Sequence, residues 1–367
     1  MNYKILARKW RPKNFSEVIG QDYIIKTIKN SFILNKIHQS WIFCGTRGIG
    51  KTTIARLLAQ VLNCSDRKEE RACHICSNCQ DITNNCFPDI SEIDAASKTK
   101  VEEIKEILET AQYMPIKGKF KIYIIDEIHM LSKYSFNALL KILEEPPKHV
   151  KFILLTTEIN KLPDTIISRC IFFHLKLINY LDIKQHLKKI LKLEKIDFES
   201  SALKIISEYS NGSIRDALNL TEQIILFSNQ NITKKLTLNM LGMLDKHYAL
   251  KIIISVFKKN AVKIINLLNY LYDENINLEQ VLIKILKIFY DIAILKKIPQ
   301  NNDKNIFSKY KNQIFKISTQ ITYEELQNYY KIILHGKKIL YLFPSIKMGI
   351  EITLLNLLHS VKNKLIF

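Results

Sequence analysis

The chain has 367 residues, enough for two or three domains with cores of their own, and 47% of them are hydrophobic. No apolar run approaches the length that crosses a bilayer, and the opening MNYKILARKWRPKNF holds no hydrophobic signal segment. Membrane-spanning and secreted classes are thereby excluded and a cytosolic chain is expected, while the net charge of +20 fits either an anionic partner such as nucleic acid or a general lysine bias.

In chain order, the first predicted strand is 40–44, Ser-Trp-Ile-Phe-Cys. It runs into Gly45-Thr46-Arg47-Gly48-Ile49-Gly50-Lys51-Thr52, followed by Thr53, and the apolar spacing over 52–62 predicts a helix. A loop of this pattern between strand and helix is built to wrap phosphates: its glycines let backbone N–H groups turn inward at a helix N-terminus. Lys51 is then placed for the β- and γ-phosphates of ATP, and Thr52 for a magnesium ion. Taken alone, the loop also fits a site that binds nucleotide without hydrolysing it.

Directly behind the helix come Cys64, Cys73, Cys76 and Cys79. Four thiolates in a C-x8-C-x2-C-x2-C pattern are enough to close a tetrahedral structural Zn2+ site over 64–79, and a cytosolic chain favours metal over disulfide. A redox role or a degenerate loop is the alternative. His74 is surplus to the four ligands and reads as a bystander, while Cys44, Cys86 and Cys170 stand alone and read as packing residues.

Two further buried strands are predicted at 120–125 and 150–155. The first delivers Asp126 and Glu127 to the carboxyl end of a sheet, where α/β proteins place their ligands. Asp126 suits the magnesium shell, and Glu127 suits the polarisation of an attacking water. Strands and helices in alternation argue for a parallel sheet with right-handed crossovers. Near Leu177 the pattern becomes helical throughout, with punctuation at Asn211-Gly212, at 299–303 and at Pro344. The expected domains are a core at 1–177, a small helical lid at 178–241 and an all-α domain at 242–367. Arginine is scarce: of 55 basic residues eight are arginine, and only Arg169 and Arg215 follow Arg71. Each reads as a planar fork for phosphate oxygens, or else as a surface or helix-capping salt bridge.

Together these motifs resemble the gamma/tau family of bacterial DNA polymerase III, the AAA+ P-loop NTPases that drive the sliding-clamp loader. The resemblance covers essentially the whole chain. It rests on Leu6-Ala-Arg-Lys-Trp-Arg-Pro12 with Phe15 and Gly20-Gln21, on the P-loop and cysteines, and on Glu92-Ile-Asp-Ala-Ala-Ser97. It continues through Asp126-Glu-Ile-His-Met-Leu131, Ser135-Phe-Asn-Ala-Leu-Leu-Lys-Ile-Leu-Glu-Glu-Pro-Pro147, Thr156-Thr157, Ser168-Arg-Cys170 and Gly212-Ser-Ile-Arg215. The fold it implies is an α/β AAA+ core with an inserted zinc module, a helical lid and an all-α collar for oligomerisation.

By that resemblance, Arg11 and Pro12 lie against the nucleotide base, and Thr157 senses the γ-phosphate or the attacking water. Arg169 reaches the ATP of a neighbouring subunit, Arg215 ties the lid to its own site, and Lys98, Thr99, Lys100 and Lys141 face DNA. The implied function is ATP hydrolysis that opens and loads the clamp onto primed DNA in replication, with polymerisation left to another subunit. The implied partners are delta, delta-prime and further gamma copies, the clamp and primed-template DNA, with no membrane, at a cytoplasmic, nucleoid-associated location. The chain stops at Phe367, about where the collar ends, and resembles the short gamma-like form, so tethering to polymerase core or helicase is not implied. A non-hydrolysing delta-prime-like subunit is disfavoured by Gly50-Lys51-Thr52 with Asp126-Glu127. A non-enzymatic zinc-containing nucleic-acid module leaves the two late arginines unexplained, and a hexameric helicase motor does not account for the zinc module and collar.

Overall fold

Runs rich in Ile, Phe, Leu and Val form a five-stranded, all-parallel sheet in the computed structural model, which describes residues 5–67, 71–96, 109–228, 231–242, 244, 246–274, 276–297 and 311–361. Its strands are β1 (Ser40–Cys44), β2 (Ile90–Asp94), β3 (Lys121–Asp126), β4 (Val150–Thr156) and β5 (Ile171–His174). The order is β2-β3-β4-β1-β5, with Ser40 opposite Phe152, Ile90 opposite Ile122 and Trp41 opposite Ile171. β1 and β4 are buried at every position because helices cover both faces of a parallel sheet, whereas the edge strands β2 and β5 are only part-buried.

Alternate residues feed two cores. Trp41, Phe43 and Phe173 stack on one face, against Ile54 and Leu58 of the helix Lys51–Asn63. Ile42, Tyr123, Phe152 and Leu154 fill the other, with Leu139 and Leu143 of the helix Lys133–Glu144. Asn63 ends the first of these helices and locks it to β3. Its side-chain amide donates to the Phe120 carbonyl at 2.8 Å, and its Oδ1 accepts from the Phe120 N–H at 2.8 Å.

The chain divides into two compact units, Met1–Thr233 and Lys234–Phe367. In the first, the helices Tyr180–Leu193, Ser200–Tyr209 and Ile214–Phe227 follow the sheet, joined by a short parallel pair, Asp197–Phe198 with Asn231–Ile232. The N-terminal residues reach this helical part: Leu6 N–H donates to Glu222, and Lys9 and Trp10 both bond the Glu194 carboxylate. The second unit is helical among its described residues and has a core of its own around Phe257, Phe289 and Tyr329. There the helix Tyr323–Lys338 opens with a reciprocal cap between Thr322 and Glu325. Its Gly336 lies so close to Thr353 that a Cβ would come within 2.2 Å of the threonine methyl.

Candidate nucleotide site and cysteine cluster

The phosphate-binding loop leaves the carboxyl end of β1, and its glycines adopt backbone angles that other residues avoid. Gly48 and Gly50 have φ of 82° and 104°, and Gly50 faces open space. No side chain caps the helix Lys51–Asn63, so its first-turn N–H groups stay available to an anion. Lys51 is buried, with its ammonium on the Gly45 carbonyl at 2.6 Å and the Thr46 carbonyl at 3.1 Å. Burial lowers its pKa, opposed by the nearby carboxylates of Glu127 and Asp126.

β3 brings the acidic pair to this loop. Asp126 Oδ2 accepts a hydrogen bond from the Thr52 hydroxyl at 3.1 Å. Glu127 follows with φ 48°, a left-handed conformation that costs a glutamate about 1–3 kcal/mol and is held here by its neighbours. Its Oε2 accepts from the Thr157 N–H at 3.2 Å and the Thr157 hydroxyl at 3.0 Å. Thr157 directly follows β4, so three adjacent strands present Lys51, Thr52, Asp126, Glu127 and Thr157 at one end of the sheet.

The lid reaches the same loop. Arg215 N–H donates to the Gly48 carbonyl at 3.3 Å, and a Cβ on Gly48 would sit 2.1 Å from Ser213 Oγ. Only glycine fits there. The exposed Arg215 side chain lies near Arg11, whose own pKa is lowered by burial first and by Arg56 second. Arg11, Pro12 and Thr53 line a cavity of about 1270 Å³ together with Arg56 and residues of the lid.

Arg169 belongs to a different contact. Its guanidinium bonds Glu144 Oε1 at 2.7 Å and the Thr165 carbonyl at 2.8 Å.

The sulfurs of Cys64, Cys73, Cys76 and Cys79 all lie within 4.8 Å of one another, a spacing and donor set that fit a four-coordinate zinc ion. Backbone N–H groups wrap them: Cys73 N–H points at Cys64 Sγ at 3.2 Å, Cys76 N–H at Cys73 Sγ at 3.3 Å and Cys79 N–H at Cys76 Sγ at 3.4 Å. Burial raises the Cys76 thiol, but the Cys79 and Ser65 N–H groups outweigh it and hold the group down to about 6. Burial pushes Cys79 up. A divalent cation would hold all four as thiolates.

The chain is 47% identical over 361 residues, 98% of each chain, to the DNA polymerase III subunit gamma of Buchnera aphidicola subsp. Baizongia pistaciae. It belongs to the gamma/tau family of bacterial DNA polymerase III.

Other relatives of this gamma/tau chain include the tau subunit of Escherichia coli K12, 42% identical over 98% of this chain and 56% of that one. The tau/gamma subunit of Haemophilus influenzae is 43% identical over 98% of this chain and 51% of its own length. Family models match in sequence: DNA polymerase III, delta subunit, at 20–179; the DNA polymerase III clamp loader subunit ATPase lid domain at 182–230; and DNA polymerase III subunits gamma and tau domain III at 232–365. Among solved structures, the Thermotoga maritima RuvB Holliday junction branch migration motor matches with a TM-score of 0.49, 21% identity, and coverage of 67% of this chain and 79% of that one. The gamma/tau chain is an AAA+ ATPase of the DNA polymerase III clamp loader, which uses ATP and Mg2+ and works with other loader subunits, the sliding clamp and DNA.

Within it, the structure gathers Lys51, Thr52, Asp126, Glu127 and Thr157 directly, and brings Arg215 to the loop by its backbone. Arg169 makes none of those contacts. Lys141 is exposed on the helix Lys133–Glu144, while Lys98, Thr99 and Lys100 lie outside the described residues. Two residues gain contacts that sequence reasoning did not assign. His74, read as a bystander, bonds Asn14 at 2.8 Å and Gln60 at 3.3 Å, linking the cysteine cluster to the N-terminal segment and the P-loop helix. His129 lies beside Glu127 and Thr156. Its place two residues after Glu127 in the Asp-Glu-Ile-His run was the only available signal.

Proposed function

We propose a division of labour among the residues at this end of the sheet. The observation that carries it is that the ends of β1, β3 and β4 lie side by side, with Thr52 bonded to Asp126, Thr157 bonded to Glu127 and Lys51 held on the loop carbonyls of Gly45 and Thr46. Lys51 and the loop N–H groups hold the phosphates. Thr52 and Asp126 are the residues that would hold magnesium, which neutralises charge on the β- and γ-phosphates. Glu127 orients the water, Thr157 couples Glu127 to the γ-phosphate position, and Arg11 and Pro12 border the base.

Arg215 reports lid angle to its own site. Arg169 acts in trans, as an arginine finger on the ATP of an adjacent subunit; it lies outside its own cluster, and a planar fork suits phosphate oxygens better than lysine does. A change in γ-phosphate contacts then alters the subunit interface and releases the clamp. The cysteine cluster is architectural, since its four coordination positions are all filled by protein.

The core at 1–177, lid at 178–241 and collar at 242–367 assemble with delta, delta-prime and further gamma copies. Lys98, Thr99, Lys100 and Lys141 contact primed DNA through its phosphates, which makes that binding salt-sensitive. Function is cytoplasmic and at the nucleoid; among the described residues no helix is long and apolar enough to cross a membrane.

The test is ATP turnover by the assembled loader, with and without clamp and primed DNA. Lys51→Ala abolishes turnover. Arg169→Ala retains nucleotide binding and loses about 10³-fold or more in stimulated kcat, the scale of an arginine finger. Equal stimulation of Arg169→Ala and wild type would remove the in-trans role.

A further inference from the structure

His129 sits beneath the acidic pair with a side chain only 6% exposed, and Nδ1 faces two oxygens. One is Thr156 Oγ1 at 3.1 Å; the other is Glu127 Oε2 at 3.4 Å. The surrounding bonds assign the ring's tautomer. The Thr156 hydroxyl donates to the Glu158 carbonyl at 3.2 Å, so its oxygen is an acceptor toward the ring, and Nδ1 carries the proton. Nε2 lies 3.7 Å from Glu158 Oε1. The ring is thus held on its Nδ1 side by the segment that ends β4.

Glu127 Oε2 accepts two hydrogen bonds, from Thr157 N and Thr157 Oγ1, and the His129 ring stands 3.4 Å from the same oxygen, while Oε1 takes none of these contacts. A carboxylate anchored through one oxygen has its rotation set and leaves the other oxygen free for a water. We propose that His129 is a positioning residue for Glu127, presenting its free oxygen to the attacking water. The proposal rests on Glu127 being the water-orienting carboxylate. Small displacements of such a group are costly, because proton abstraction depends on near-contact geometry.

The experiment measures ATP turnover and nucleotide affinity of the assembled loader with clamp and primed DNA. His129→Phe keeps the ring volume and removes the donor; His129→Asn keeps a donor near the Nδ1 position. Phe is expected to lower kcat about 10- to 100-fold, with nucleotide affinity and the KM for ATP unchanged within about 2-fold. Asn is expected to restore kcat to within about 3-fold of wild type. In the Glu127→Gln background, His129→Phe adds no further loss, since it acts through the missing carboxylate. A wild-type or raised kcat in the Phe variant, equal losses in Phe and Asn, or a further loss beyond Glu127→Gln would each overturn the proposal. A Glu127→Gln loader that turns over normally would instead remove the role of Glu127 itself, a separate result.

Discussion

Thr52 Oγ1 and Asp126 Oδ2 stand 3.1 Å apart although 74 residues separate them in the chain. The phosphate loop leads from the end of β1 into the helix that begins at Lys51, β3 ends at Asp126, and Asn63 pins the far end of that helix to the start of β3. Two oxygens of different chemistry are therefore held at the spacing that a hard divalent cation exploits.

Replacing Thr52 with Val keeps the helix and its apolar packing and removes one of these oxygens. The expected result is about a 100-fold fall in turnover, partly recovered at high magnesium, with the folded state unchanged by circular dichroism. Turnover titrated against magnesium concentration checks it.

Arg169 and Glu144 form an ion pair at 2.7 Å with side chains 33% and 52% exposed. A pair this exposed contributes about 1 kcal/mol or less, so the guanidinium can leave it for a phosphate at small cost. Glu144→Gln should accordingly change the stability of the isolated chain by less than about 1 kcal/mol in urea unfolding. A larger loss would mean that Arg169 serves the fold of its own subunit.

Removing the metal from the cysteine cluster, by chelation or by Cys79→Ser, should cost about 3 kcal/mol or more of stability. Cys79 is fully buried and its sulfur sits among three others, so the cluster cannot repack as an apolar core. Metal analysis should find about one zinc per chain before treatment and none after. ATP affinity should persist in whatever fraction remains folded, because none of the four thiols touches the phosphate loop.

Lys151 lies buried in β4, with its ammonium on the Ile37 carbonyl at 3.2 Å and over the Phe120 ring, and burial pushes its pKa down to about 8. Below pH 8 the folded protein carries a charge that it holds less readily than the unfolded chain does. Between pH 8 and the ordinary lysine range near 10.4 the unfolded chain binds more protons, so this group's penalty fades as pH rises. Lys151→Met should raise the melting temperature at pH 7 by about 2–4 °C, and the advantage should shrink toward pH 10. An advantage independent of pH would point to packing alone.

Much of the site was legible because local chemistry announces itself. The P-loop needs glycine where φ is positive, Asp126 and Glu127 follow an unmistakable apolar strand, and four cysteines spaced this closely are a ready-made metal-ligand set. The edge strands β2 and β5 were harder to read. Glu92 and His174 interrupt their apolar pattern because an edge strand is only partly covered. The tie between the lid and the loop was also hidden: Gly48 needs to be glycine for its backbone, but also because Ser213 approaches it from a distant helix.

By itself the sequence determined which groups this protein possesses: a phosphate loop, an acidic pair, a thiol set and two late arginines, each marked by spacing along the chain. Tertiary structure decided which of them meet. The parallel strand order brings the ends of β1, β3 and β4 side by side, which joins Thr52 to Asp126 and Glu127 to Thr157 and tucks His129 behind them. It also leaves Arg169 on Glu144, outside that cluster. Spacing encodes contacts within a turn or a strand, whereas contacts between strands depend on how the sheet is ordered, and only the folded core settles that order.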